Sequence, residues 1–514
     1  MTTRREVLAG AALWAGSARG GVMVPRGTTV SCPAGRFIGE QVGSVSAFRG
    51  IRYGRAERFR APVAAPSVRE PLEARAFGPA CPQRGKRHPQ SEDCLFLNVW
   101  TVDPDRRARL PVLVWIHGGA YALGSAGDEV THGEALAERG GAVVVSVNHR
   151  LNAFGYLYLA QLDPRLPDSG NAGQLDLVLA LRWVRDNIAS FGGDPTRVTL
   201  FGQSGGGAKI ATLMAMPAAR GLFHRAVTMS GQQVRVTTPA RATERARALL
   251  ARLNARAPAE LMAIPAERIL DALDAPDPLG PGSVDMGPVL DGTWLNGHPF
   301  SPEANANGLG IDLILGGTRE ETRDFFDPAS REMRELSWAD LPGRLAAELP
   351  TDAPVSEVVT AYRRHLPTAT PADIFYRATT DGRSWRPQIL EAEARARAKR
   401  PAHVYQLDFA SATRPGRGAF HGLDIALFFG TLGAADAGTG TGPEAKALSR
   451  RMQDHLLAFA ATGDPSPRGL QRWPAYTLDQ RETMMFDVRS RIERDPRRWQ
   501  RELFARYSYT QPGT

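Results

Sequence analysis

The hydrophobic pattern of this chain alternates between short apolar runs and longer segments with helical spacing. Continuous apolar runs at 112–116 and 142–147 are rich in β-branched residues and predict buried strands. Shorter runs at 197–201, 226–229, 312–315 and 404–407 predict further strands. Between them, Leu175, Leu179 and Trp183 recur at helical spacing and predict a helix over 174–191. This alternation predicts an α/β fold with a mostly parallel central sheet and helices on both faces.

Two longer segments, 241–273 and 337–365, are rich in Ala, Arg, Glu and Leu and are predicted to be helical. We expect them to be insertions that cap the sheet edge carrying the functional site. Neither an internal repeat nor a break in composition separates a second unit. We therefore predict one enlarged domain over residues 21–514, although the length alone would suggest about three domains.

The first twenty residues have the pattern of a bacterial twin-arginine export signal. Arg4 and Arg5 precede a weakly apolar run from Val7 to Ala15, and small residues follow at 16–18. The run is too short to span a membrane, and no later run of about 18 uncharged apolar residues occurs. We therefore expect an exported protein, periplasmic or secreted, without a membrane span.

The chain carries a net charge of +9, which raises the question of an anionic partner such as nucleic acid. Its four lysines are isolated, and its arginines are scattered among Glu and Asp instead of forming one patch. No nucleic-acid-binding motif is present, so that class of function is excluded. The composition implies no cofactor or metal and leaves the oligomeric state open.

Candidate chemistry centres on Ser204, in the sequence Gly202-Gln203-Ser204-Gly205-Gly206. It follows the predicted strand 197–201 and precedes a helix-compatible stretch that ends at Pro217. A strand, a sharp glycine-flanked turn and a helix form the context of a nucleophile elbow. The pattern therefore predicts a nucleophilic serine rather than an ordinary glycine-rich turn. Lys209, just over one turn later, is interpreted as a helix residue without a catalytic role.

A nucleophilic serine also requires oxyanion donors, a base and an orienting carboxylate. The sequence His117-Gly118-Gly119-Ala120 follows a predicted strand and offers backbone N–H donors, and Gly205 offers another. Glu320 and Glu321 follow the strand 312–315, and His421 lies in a glycine-flanked loop. The order Ser, Glu, His along the chain is that of α/β-hydrolases.

Together these motifs resemble the type-B carboxylesterase family, which also contains cholinesterases. Further matching stretches are 91–100, 147–151 and the run from 171 through 195 into the elbow, within a match from about 48 to 463. The resemblance implies an α/β-hydrolase fold and hydrolysis of small-molecule esters through an acyl-enzyme. It implies these roles: nucleophile Ser204, acid Glu321, base His421, oxyanion donors Gly119, Ala120 and Gly205, and a supporting hydrogen bond from Ser230.

The resemblance also implies a disulfide between Cys81 and Cys94, which would close a small loop worth about 3 kcal/mol in the chain-entropy view. Cys32 would then remain as a free thiol. No Phe, Tyr or Trp lies between Cys81 and Cys94, and Gln203 stands where the family often has a glutamate. Both departures argue against a choline ester, since quaternary cations need an aromatic cage.

Two alternatives stay open at the level of the sequence. The same machinery can act on amides, carbamates or lactones, because the shape of the pocket, not the triad, determines which leaving group is accepted. A non-catalytic binding protein of the same fold is disfavoured by the presence of Ser204, Glu321 and His421. The natural ester and its acyl length are not encoded in these motifs.

Overall fold

The computed structural model describes residues 28–85, 88–279 and 286–513. The proposed export signal over residues 1–20 lies outside these ranges. The strands are β1 Thr29–Cys32, β2 Gly35–Ile38, β3 Glu40–Val42, β4 Val45–Arg52, β5 Gly54–Arg55, β6 Val63–Ala64, β7 Val68–Glu73, β8 Phe96–Thr101, β9 Leu110–Ile116, β10 Val143–Val147, β11 Gly193–Gln203, β12 Arg225–Met229, β13 Asp312–Thr318, β14 His403–Leu407, β15 Glu482–Phe486 and β16 Arg491–Arg494.

Helices connect most of the central strands. They are α1 Glu134–Gly140, α2 Asn152–Tyr156, α3 Ala172–Asn187, α4 Gly205–Ala215, α5 Pro239–Arg252, α6 Ala266–Ala272, α7 Arg331–Arg334, α8 Leu341–Glu348, α9 Val355–His365, α10 Pro371–Thr380, α11 Arg386–Arg397, α12 Leu423–Phe429, α13 Pro443–Thr462 and α14 Arg498–Ala505. None of the helices in the described ranges is long and apolar enough to cross a membrane.

The main sheet has eleven strands in the order β16-β15-β14-β13-β12-β11-β9-β10-β8-β4-β3. The strands from β15 to β10 in this order are parallel, and antiparallel strands extend both edges. The chain goes from β9 to its neighbour β10 and then crosses to β11 on the other side of β9. Such a reversal opens a crevice at the carboxyl ends of the strands, where ligands bind in open α/β sheets.

Side chains of the central strands alternate between two cores, one on each face of the sheet. In β9, Val112 and Val114 belong to one buried cluster, which includes Leu177 of α3 and Ile210 of α4. Leu113 and Trp115 belong to the other cluster, with residues of α12 and α13. Because successive side chains of a strand point to opposite faces, both faces are covered by helices. The predicted α/β-hydrolase architecture is confirmed.

The helical insertions are more divided than the sequence pattern predicts. The segment 241–273 forms α5, a 3-10 turn at Pro258–Ala263 and α6, because the chain turns left-handed at Asn254, with a φ of 55°, and Pro265 cannot continue the 3-10 turn into α6. The segment 337–365 forms α8 and α9, separated by Pro350 and Pro354. Helices α8 to α10 enclose a small core of their own, which includes Leu345, Val358 and Phe375.

Candidate active site

Ser204 lies directly after β11, at the start of α4, in a strained backbone conformation. Its φ is 55° and its ψ is −128°, a region that non-glycine residues rarely adopt. A Cβ on Gly202 would lie 2.7 Å from the Ile116 carbonyl oxygen, and one on Gly206 would lie 2.0 Å from the same atom. The flanking glycines therefore allow β11, β9 and α4 to approach closely while the serine side chain projects from the turn.

His421 and Glu321 approach this turn from two other elements. Glu321 begins a 3-10 turn three residues after the last residue of β13, and His421 precedes Gly422, whose φ of 84° turns the chain into α12. The imidazole Nδ1 of His421 contacts Glu321 Oε2. The other carboxylate oxygen accepts hydrogen bonds from the Ser230 hydroxyl at 2.6 Å and from the Thr318 N–H at 2.7 Å. The Glu321 side chain is thus fixed on both sides.

The electrostatics of this pair favour a charged carboxylate next to a basic imidazole. Burial works against the charge on Glu321, but His421 and the donors around it lower its pKa below the ordinary value. Burial also works against a charged His421, but the Glu321 carboxylate outweighs it and raises the pKa of the imidazole. The arrangement therefore stabilises an imidazolium while Glu321 stays ionised.

Glu320, the neighbouring carboxylate, faces elsewhere. Its Oε2 accepts a hydrogen bond from the Ala419 N–H at 2.9 Å, and its other oxygen pairs with Arg319 at 3.4 Å. It therefore braces the loop that carries His421 without touching the imidazole. Of the two adjacent glutamates, the structure brings Glu321 to the histidine.

Gln203 contacts the other imidazole nitrogen. Its side-chain Nε2 lies 3.0 Å from His421 Nε2. An amide NH₂ group can only donate, so His421 Nε2 accepts and the ring hydrogen resides on Nδ1, facing Glu321. This is the tautomer that a base at Nε2 requires. Since Gln203 is the residue before Ser204, the contact also brings the histidine to the elbow.

The loop after β9 presents backbone N–H groups to the same place. Gly119 has a φ of 83° and Ala120 a φ of 50°, so this turn is left-handed. A Cβ on Gly205 would lie 1.9 Å from the Ala120 carbonyl oxygen, which shows how closely the loop packs on the start of α4. The N–H of Gly205 belongs to the first turn of a helix and has no partner within it. Ala120 therefore lies against Gly205, the residue after Ser204.

A cavity of about 340 Å³ opens next to this loop. Its wall combines apolar side chains with amide and imidazole groups, including Leu123, Val130, Ile425, Gln83 and His88. One of the two predicted insertions contacts its wall, since Arg84 of the wall donates to the Leu270 carbonyl of α6. Across the described ranges, no group of three or more His, Cys, Asp or Glu side chains could hold a metal ion.

The predicted disulfide is not present. Cys81 and Cys94 are both buried free thiols, and Cys32 is a free thiol as well. Cys81 Sγ accepts a hydrogen bond from the Leu151 N–H at 3.2 Å, and it also pairs with the Cys94 thiol. The two thiols are thus joined by a hydrogen bond instead of a covalent bond, and this hydrogen bond and burial raise the pKa of Cys94.

Lys209 makes contacts that the sequence does not predict. It lies in α4 as predicted, but its side chain is fully buried and reaches the loop after β9. Its Nζ lies 2.8 Å from the Ala120 carbonyl oxygen and 3.2 Å from that of His117. The available signal was a single lysine in an otherwise apolar helix turn, with no acidic residue three or four positions away.

Comparisons with known proteins agree with this geometry. The sequence model of the carboxylesterase family matches residues 26–504. The para-nitrobenzyl esterase of Bacillus subtilis is 35% identical over 490 residues, which cover 91% of this chain and 96% of that protein. A probable N-octanoylanthranilate hydrolase of Rhodococcus erythropolis is 36% identical over 322 residues, covering 58% of this chain and 68% of that protein.

Among solved structures, the Geobacillus stearothermophilus carboxylesterase Est55 superposes with a TM-score of 0.83 at 34% identity. The match covers 93% of this chain and all of that one. A family model spanning most of the chain, together with esterase relatives of this identity, is sufficient to assign the family. The chain belongs to the carboxylesterase family and is a carboxylic ester hydrolase.

Proposed function

We propose that this protein hydrolyses small-molecule esters through a covalent acyl-enzyme formed on Ser204. The observation that carries the proposal is the buried contact between Glu321 and His421 Nδ1, beside a strained serine at the end of β11. A serine hydroxyl is a weak nucleophile, so it needs a base that is held in the right tautomer. The Glu321 contact and the lone pair of Nε2 together provide one.

The reaction follows from this arrangement in two halves. As Ser204 Oγ attacks the ester carbonyl, its proton passes to His421 Nε2, and Glu321 stabilises the resulting imidazolium. The carbonyl oxygen becomes an oxyanion that accepts from the N–H groups of Gly119, Ala120 and Gly205. His421 then gives its proton to the departing alcohol. In the second half, water attacks the acyl carbonyl as His421 takes its proton, and His421 returns that proton to Ser204 Oγ as the bond to the acyl group breaks and the carboxylic acid leaves.

The test is hydrolysis of p-nitrophenyl esters with acyl chains from two to twelve carbons, by the wild type and by Ser204→Ala. We expect the wild type to turn over part of this series and the variant to lose at least about 10⁴-fold in kcat. An unchanged thermal unfolding curve for the variant would attribute the loss to chemistry. Turnover retained in a folded Ser204→Ala variant would refute the proposed nucleophile.

An amide substrate is a second candidate. The relative from Rhodococcus erythropolis is named for the hydrolysis of an N-acyl compound, and the proposed machinery does not itself select the leaving group. Rates on an ester and an amide that share one acyl group separate the two candidates. A kcat/KM for the amide at or above that for the ester would favour the amide.

We also propose that the protein is exported by its twin-arginine segment and that the rest of the chain is one domain. Strands of a single sheet come from Glu40–Val42 at one end of the described chain and from Arg491–Arg494 at the other, which supports one domain. Replacing Arg4 and Arg5 by lysine in a bacterial host should leave the protein in the cytoplasm. Export of that variant at the wild-type level would contradict the signal.

A further inference from the structure

Lys209 is buried without a carboxylate partner in the described chain. Its side chain makes two hydrogen bonds, to the carbonyl oxygens of Ala120 at 2.8 Å and His117 at 3.2 Å. The ring of Tyr121, an uncharged group, has its centroid 5.6 Å from Nζ. An ammonium in such a place is costly, and burial lowers the pKa of Lys209 to about 7.

Two neighbouring histidines also respond to this cation. His117 and His149 stack with their ring centroids 4.5 Å apart. Burial, together with the nearby Lys209, lowers the pKa of His117 to about 3, and the same causes lower that of His149. Both imidazole rings are therefore uncharged, so neither ring compensates the charge of the lysine. The hydrogen-bond acceptors of the lysine in the described chain are the two backbone carbonyls.

Those carbonyls belong to the loop that carries the proposed oxyanion donors. In this loop every carbonyl from residue 117 to 120 has a hydrogen-bond donor. The Gly118 oxygen accepts from His117 Nδ1 at 3.0 Å, and the Gly119 oxygen accepts from the Leu123 N–H at 2.9 Å. Lys209 supplies the remaining two bonds, at the first and the last carbonyl of the turn.

Fixing a carbonyl also fixes the N–H direction of the neighbouring peptides, because peptide units are planar. The turn contains Ala120 with a φ of 50°, a conformation that an alanine adopts only when its surroundings hold it. Within the described ranges, the N–H groups of Gly119 and Ala120 donate to no protein acceptor. They are thus free to receive an oxyanion, provided that the turn keeps its shape.

We propose that Lys209 is a positioning residue of the oxyanion hole: its Nζ binds the His117 and Ala120 carbonyls and thereby aims the Gly119 and Ala120 N–H groups at the reacting carbonyl. Lys209 does not line the cavity beside this loop and acts from behind it. A neutral amine still has two N–H donors, so the role persists when the lysine loses its proton. The inference rests on the proposed function.

The test compares Lys209→Met with Thr212→Val as a matched control. Thr212 is also buried in α4, but its hydroxyl binds the Ala208 carbonyl of its own helix and not the loop. The readouts are kcat and KM on a p-nitrophenyl ester, the affinity for a trifluoromethyl ketone that forms a tetrahedral adduct with the serine, and thermal unfolding. Loss of one oxyanion donor lowers kcat by about 10²–10³-fold.

Because Lys209→Met misaligns donors without deleting them, we expect kcat to fall by about 10- to 100-fold, with KM changed less than about threefold. Ketone affinity should weaken by the same factor as kcat/KM, and Thr212→Val should stay within about twofold of the wild type in both. A folded Lys209→Met variant with kcat within about threefold of the wild type, or with unchanged ketone affinity, would overturn the proposal.

Lys209→Gln keeps one donor group on a shorter side chain and should lose less activity than the Met variant. Should Lys209→Met fail to fold, the Gln variant decides: a loss of at least about fivefold in kcat and ketone affinity supports the role, and no loss overturns it. A wild type without activity on any ester would instead refute the proposed function, whatever the variants do.

Discussion

Replacing Glu321 by glutamine tests the proposed acid most directly, because the structure says how the amide would orient. Glu321 Oε1 accepts from the Ser230 hydroxyl and the Thr318 N–H, so only an oxygen fits on that side. The glutamine NH₂ group would then face His421 Nδ1. An NH₂ group cannot accept, so the imidazole would have to move its hydrogen to Nε2, where it can no longer take the serine proton.

The expected loss follows from this change of tautomer and from the removed charge. In a Ser-His-Asp enzyme the equivalent amide substitution lowers kcat by about 10⁴-fold. A loss of about 10³–10⁴-fold here corresponds to about 4–5.5 kcal/mol of transition-state stabilisation. The amide matches the carboxylate in size and keeps the contacts to Ser230 and Thr318. The protein should therefore stay folded.

The assay measures kcat of Glu321→Gln and Glu320→Gln on one p-nitrophenyl ester, normalised to folded protein by thermal unfolding. Glu320 is the matched control, since it is the adjacent carboxylate and its oxygens bind Ala419 N–H and Arg319 instead of the imidazole. We expect Glu320→Gln to lose less than about threefold. A Glu321→Gln variant within tenfold of the wild type, or an equal loss in both variants, would refute the reasoning.

Three further outcomes are expected. Gly205→Ala places a Cβ 1.9 Å from the Ala120 carbonyl oxygen. It should lower kcat at least about tenfold, measured by steady-state kinetics, and destabilise the protein by about 1–3 kcal/mol, measured by urea unfolding. Glu321 raises the pKa of His421 against the effect of burial, so the kcat/KM of the wild type should fall as the pH drops through that raised pKa. In Glu321→Gln the carboxylate is gone, so the pH profile should show the same fall at lower pH. Lys209 has a pKa of about 7 when folded and 10.5 when unfolded. The unfolded chain therefore binds more protons between these values, and wild-type stability should rise with pH by about 3.5 kcal/mol relative to Lys209→Met, measured by urea unfolding from pH 7 to 10.

Much of the sheet could be predicted from the sequence, because its central strands are continuous apolar runs buried on both faces. The runs at 112–116, 197–201 and 226–229 lie within β9, β11 and β12. The elbow could be predicted too, because its chemistry is local: glycines on both sides of a serine, between a strand and a helix, leave few other conformations. The same holds for the turn at Gly119, whose positive φ suits glycine.

What the sequence could not give depends on contacts between distant segments. The antiparallel strands β3 and β4 form one edge of the sheet beyond β8, yet they lack a continuous apolar run, since pairing partners rather than local pattern place them. The local pattern does not separate Glu320 from Glu321; the family resemblance implied Glu321, and the fold turns that residue to His421. The contacts of Lys209 could not be predicted for the same reason, because its two acceptors lie about 90 residues away.

The strained conformation of Ser204 is connected to the hydrogen bonds of the sheet beneath the site. Ser204 and Ser230 both have a positive φ, of 55° and 50°, and each follows the last residue of a parallel strand. The Ser204 N–H bonds the Met229 carbonyl and the Ser230 N–H bonds the Gly316 carbonyl, each at 2.7 Å, so the hydrogen-bond ladder continues past the strand ends. A conformation of this kind costs about 1–3 kcal/mol and persists only where its surroundings fix it. The Ser230 hydroxyl also binds Glu321. The backbone hydrogen bonds that hold Ser204 and Ser230 in this conformation therefore also position the Glu321 carboxylate.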